Sequence, residues 1–131
     1  MHEMRGALAV CAAVLAGLLF ACNSDDGGGS CLAAVAPAIL VEIRDSMTGQ
    51  GLARRAVATV TDDTFGGPFT DTLYLLPDPD SAYRAGPDNR AGMYHLSITS
   101  PGYQTWVRSD IWVRRGPCTV ETVSLVAPLQ Q

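Results

Sequence analysis

From position 38 onward, apolar side chains recur at every second residue, and this period narrows most sharply what the chain can become. Ile39, Val41 and Ile43 alternate with Leu40, Glu42 and Arg44, so an extended strand there presents one apolar face. The pattern returns at 56–62 (AVATVTD), 70–76 (TDTLYLL), 93–99, 106–114 and 120–126. In the stretch 93–99, Tyr94, Leu96 and Ile98 share a side. Between these runs lie residues 45–51, Gly66-Gly67-Pro68 and Pro101-Gly102, all of them turn chemistry. Residues 77–90 hold three prolines and four Asp or Asn residues and read as a polar loop. No ten-residue stretch after Ser30 keeps a 3.6-residue period. Short strands between Gly/Pro turns predict an all-β chain, a single β-sandwich of about seven strands.

Two stretches resemble a known family. VEIRDSMTGQGLARRAVATVTD (41–62) looks like the opening of carboxypeptidase regulatory-like domains: a strand, then D-x-x-T-G-x-x-L, then a strand of small and β-branched residues. AGMYHLSITSPGYQTW (91–106) looks like their later signature, G-x-Y-x-L-x-I-x-x-x-G-Y. The resemblance runs over roughly residues 38–126. It implies a sandwich of the transthyretin-like or immunoglobulin-like kind. It also implies that Gly92 and Gly102 occupy backbone positions awkward for a side chain, that Tyr94 packs inward and that Tyr103 braces a corner.

Residues 7–21 are fifteen apolar or small residues, too few for the roughly 20 of a spanning helix and suited to the core of a signal peptide. Arg5 supplies the preceding positive charge, opposed by Glu3 if translation starts at Met1 and unopposed if it starts at Met4. Leu19-Phe20-Ala21-Cys22 resembles the lipobox of bacterial lipoproteins. That resemblance implies a diacylglycerol on the Cys22 thiol, cleavage after Ala21 and acylation, such as palmitate, of the new amine. It places the protein on the cell membrane or outer membrane, facing periplasm or surface, with Asn23 leaning toward the outer membrane. The alternative is an ordinary secretory signal with a chance cysteine. Residues 23–30 (NSDDGGGS) carry no large apolar side chain and form a tether. The expected organisation is thus a signal peptide at 1–21, a lipidated tether at 22–30 and a β-sandwich domain at 31–131.

With Cys11 removed and Cys22 lipidated, Cys31 and Cys118 are left. In an oxidising compartment they are expected to form a disulfide.

All nine basic residues are arginine, and the net charge is −4. Nucleic acid is not an expected partner, and Schiff-base chemistry has no lysine to use. His95 is the one histidine after the signal segment, too little for a metal centre, and alternation makes it an exposed histidine on a sheet face, so no metal, cofactor or catalytic residue is expected. Asp62-Asp63 and Asp78/Asp80 read as solvated turn carboxylates. Asp78, Asp80, Asp88 and Asn89 offer oxygen ligands but match no known calcium loop.

The candidate binding surface is TWVRSDIWVRR (105–115). Unbroken alternation puts Val107, Ile111 and Val113 in the core and Trp106, Arg108, Trp112 and Arg114 on one outer face, apt for a protein interface or sugar stacking. A bulge near Ser109 would instead turn Trp106 inward. The expected function is a lipid-anchored, non-catalytic envelope module for protein interaction or structural support. The alternatives are a carbohydrate-binding module and, last, a small hydrolase that would gather His95 with an acid and a nucleophile in one pocket.

Overall fold

The computed structural model describes residue 31, residues 34–64 and residues 68–131. The expected signal segment, the tether and Cys22 lie outside the described residues. The chain divides after Leu32, and every strand belongs to Ala33–Gln131.

The described residues form eight strands and no helix: β1 (Pro37–Asp45), β2 (Val57–Asp62), β3 (Phe69–Thr72), β4 (Tyr74–Leu75), β5 (Tyr83–Asp88), β6 (Gly92–Thr99), β7 (Trp106–Val113) and β8 (Val123–Leu129). They make two four-stranded sheets, ordered β4-β5-β1-β8 and β3-β2-β6-β7. Every neighbouring pair is antiparallel except β1 and β8, which run parallel from Ile39↔Val123 to Asp45↔Leu129. The facing sides meet in one core. Ile39, Val41 and Ile43 of β1 pack with Ala58 and Val60 of β2, Tyr94, Leu96 and Ile98 of β6, and Ile111 and Val113 of β7. Each large aliphatic side chain removed from water there contributes about 1.5–3 kcal/mol.

The fold is the expected all-β sandwich, with eight strands rather than about seven. Two departures bring the six runs of alternation to eight strands. The run at 70–76 breaks at Leu73, so β3 ends one sheet and β4 ends the other. Leu73 is buried at the crossing, where its N–H donates to Ala58 O (2.8 Å) and its carbonyl accepts from Arg84 Nη1 (2.7 Å). The second departure is β5, inside the stretch read as a loop. Its buried positions are Ala85, Gly86 and Pro87, which carry no alternating large apolar side chain to betray a strand. Arg84 holds it in place, donating from Nε to Ala53 O (2.8 Å) as well as to Leu73.

The D-x-x-T-G turn and the G-Y corner meet through one carboxylate. Asp45 Oδ1 accepts the N–H groups of Met47 (2.7 Å) and Thr48 (2.9 Å), closing the turn after β1. Its Oδ2 accepts the Tyr103 hydroxyl at 2.6 Å across 58 positions of sequence. These bonds, that of Tyr103 first, hold the Asp45 carboxyl below the usual aspartate range. Gly102, just before Tyr103, has φ of 84°, a backbone region that costs other residues.

Candidate binding face

The outer side of the β3-β2-β6-β7 sheet is built by register. Thr59 stands between Thr72 of β3 and Ser97 of β6, and Ser97 in turn faces Val107 of β7. Thr61 stands between Thr70 and His95. Val57 pairs with Thr99 at one end, and Met93 with Trp112 at the other. Residues directly opposite on neighbouring strands share a side, and the inward neighbours Ala58, Val60, Leu96 and Ile98 are fully buried. The outward residues of β2, β3 and β6 therefore include no Asp, Glu or Arg. Among the described residues, none bonds the side-chain hydroxyl of Thr59, Thr61, Thr70, Thr72, Ser97 or Thr99. Val57, Val107 and Trp112 lie on this same side, each more than half exposed (51%, 56% and 54%).

A bulge in β7 gives its two tryptophans opposite orientations. Tyr94 pairs with Ile111, yet Leu96 pairs with Arg108, so Ser109 and Asp110 together oppose His95. The extra residue is accommodated at Asp110, whose φ is 57°. A one-residue insertion reverses the parity of everything before it. Downstream, Ile111 and Val113 are buried and Trp112 is exposed, as simple alternation requires. Upstream the alternation fails. Trp106 stands opposite Ile98 and packs half-buried against the core, whereas Val107, expected inside, is exposed. Arg108 is on the side of Leu96, at an exposed edge. The four residues expected on one outer face are thus divided: Trp106 and Arg108 lean to the inner side, and Trp112 remains outside with Arg114. The Arg114 guanidinium carbon lies 4.5 Å from the Trp112 ring centre, within cation–π range. An apolar hollow of about 360 Å³ beside Trp112 is lined by Ala91, Gly92 and Val113.

The bulge also shapes a groove of about 220 Å³, lined by Thr61, Asp63, Thr64, Met93, His95, Ser109 and Asp110 among others. Here His95 Nδ1 meets Ser109 Oγ at 2.9 Å. A histidine, a serine and two carboxylates therefore gather on one surface. Both partners of the His95–Ser109 bond are exposed. Bulk water reaches them.

Asp62, Asp78, Asp80 and Asp88 are engaged in structure. Asp62, fully buried, accepts Arg90 Nη1 at 2.8 Å and both the N–H (3.0 Å) and hydroxyl (2.8 Å) of Thr64. Arg90 also donates to the Tyr94 hydroxyl (3.0 Å) and lies 3.8 Å from the Phe69 ring centre. Asp78 closes its own turn by accepting the Asp80 and Ala82 N–H groups, and Asp80 reaches Arg44 at 3.5 Å. At the far end of β5, Asp88 accepts the Tyr74 hydroxyl at 2.7 Å, pushing the Tyr74 pKa up to about 12. Asn89 bonds Ala34 O and the Ala36 N–H. The strand between them holds Asp78 and Asp80 apart from Asp88 and Asn89. Among the described residues, no group of three or more His, Cys, Asp or Glu is placed to hold a metal ion. Cys31 and Cys118 are both disulfide-bonded.

Sequence reasoning singled out Trp112 and Arg114 but missed the hydroxyl rows beside them. The signal was present in T-x-T at 59–61 and 70–72 and in H-x-S-x-T at 95–99, outward positions of strands whose inward positions are apolar. No family model matches the chain, and no curated protein matches it.

Proposed function

We propose that this protein is a lipid-anchored module of the bacterial cell envelope that works by binding, without catalysis. Its working surface is the outer side of the β3-β2-β6-β7 sheet. The observation that carries the reading is Trp112, 54% exposed and braced by Arg114 on a face that also exposes Val57 and Val107. Large apolar side chains grouped on one face mark interaction sites more often than lone ones do. The anchor rests on the lipobox-like Leu19-Phe20-Ala21-Cys22, and two or more acyl chains suffice for stable attachment. The resemblance to carboxypeptidase regulatory-like domains supports an accessory, non-catalytic module. A sugar platform of two tryptophans is not supported, because Trp106 turns toward the core.

Intact mass of the protein purified from membranes tests the anchor and the crosslink together. The expected mass is that of the chain from Cys22 plus acyl groups, rising by two hydrogens on reduction. A soluble, unacylated chain refutes the anchor. Site-specific photo-crosslinking in cells tests the face: a probe at Ser97 is expected to capture an envelope component, and one at Leu40, on the opposite sheet, is not.

A further inference from the structure

We infer that the ligand of this face is an uncharged polysaccharide, met as a short run of sugar rings lying across the strands. The inference rests on the binding reading above and names the chemistry of what is bound.

Size comes first. Neighbouring strands lie about 4.8 Å apart and alternate residues about 6.8 Å apart, so the face measures about 15 Å by about 20 Å. An area on the order of 300 Å² is well short of the about 800 Å² per partner in a stable protein–protein interface. A second copy or a folded partner would have to reach far beyond the rows. An oligosaccharide would not.

Chemistry comes second. Each Ser or Thr hydroxyl donates one hydrogen bond and accepts others, as does each hydroxyl of a sugar. The hydroxyls of Thr59, Thr61, Ser97 and their row neighbours are free of partners among the described residues. Displacing water from them costs far less than displacing it from an ionised group. At the end of the rows, the exposed Trp112 ring offers an apolar plate for the C–H side of a sugar ring. Charge comes third. The carboxylates bordering the groove are Asp63 and Asp110, against one cation, Arg114 beside the Trp112 ring, so the balance of charge does not favour phosphate- or carboxylate-bearing polymers and leaves neutral ones unaffected.

The test is an NMR titration of the acylated protein in detergent micelles. The probes are cellohexaose, maltohexaose and N-acetylated chitohexaose. At least one is expected to shift the amide signals of Thr59, Thr61, Ser97 and Trp112 at about 1 mM, the range of weak glycan binding. Trp112→Ala, an exposed change that leaves the core intact, is expected to weaken that probe about tenfold, and Thr61→Val several-fold. If none of the three moves these signals, or if Trp112→Ala and Thr61→Val bind as the parent does, the polysaccharide assignment is overturned. The crosslink from Ser97 then separates the two levels. A protein captured there, with its yield reduced by Trp112→Ala, refutes the sugar and keeps the face. Loss of the crosslink as well refutes both.

Discussion

Gly92 shows how little room the buried ion pair leaves. A Cβ at this position would sit 2.5 Å from Asp62 Oδ2 and 3.0 Å from Arg90 Nη1. Gly92→Ala must therefore push apart a pair that is buried on the aspartate side. Breaking such a pair costs on the order of 3 kcal/mol, to be read as a fall in the urea midpoint. Asp45 sets a different dependence. Its carboxyl titrates below the ordinary value of 3.8 because it accepts from Tyr103, Thr48 and Met47. A depressed carboxylate stabilises the fold above the ordinary value, and that contribution is lost as pH falls through the folded one. Tyr103→Phe is expected to lower the melting temperature at neutral pH and to flatten its decline between pH 4 and pH 2, read from thermal melts. Tyr74 acts at the opposite end of the scale. Its hydroxyl bonds Asp88 while protonated, and its pKa rises to about 12 from 10.0. The stabilisation is complete below the ordinary tyrosine value and fades as pH climbs through the raised one. Ultraviolet titration is expected to show late-ionising tyrosines, Tyr74 through Asp88 and Tyr94 through burial, of which Tyr74→Phe removes one.

Single strands decide which side chains reach solvent, and β7 does so through its bulge. Asp110 holds φ of 57°, a region costing most residues about 1–2 kcal/mol and a β-branched residue at least as much. Asp110→Val is expected to lose about that amount in chemical denaturation, and Asp110→Gly to stay within about 0.5 kcal/mol of the parent. The strands whose inward side chains are large, β1, β2 and β6, were legible because Ile, Val, Leu and Tyr at alternate positions encode burial directly. β5 was not. Its inward positions are Ala, Gly and Pro, residues that also spell a turn, and a half-buried arginine does the work of an apolar side chain. Sequence alone leaves the orientation of Trp106 between two readings, and the bulge near Ser109 that would turn it inward is the one found. Alternation fixes faces only while the register is unbroken, and a bulge leaves no mark in composition beyond an Asp able to adopt positive φ. Trp112 and Arg114 were legible because they follow the bulge and β7 keeps its parity from there to its end.

At the scale of the molecule, two devices bind distant parts of the chain: the disulfide-bonded cysteines at 31 and 118 and the pairing of the first strand with the last. Closing a loop of nearly ninety residues constrains the unfolded chain by about 4–5 kcal/mol in the entropy treatment. Cys118→Ser is expected to lower stability by that order, as would a reductant on the parent, and reductant should have no further effect on the variant. The parallel ladder between β1 and β8 bears on how the protein is made. Residues 39 and 123 are partners across β1 and β8, the latter forming the edge of their sheet, so β1 leaves the ribosome long before the strand that covers one of its edges. A chain made N-terminus first cannot complete that sheet until nearly all of it has emerged, and such long-range pairing is slow to form. Synthesis thus delivers an open β edge rather than a finished domain, and the interval between emergence and closure is when this protein most needs a holding chaperone.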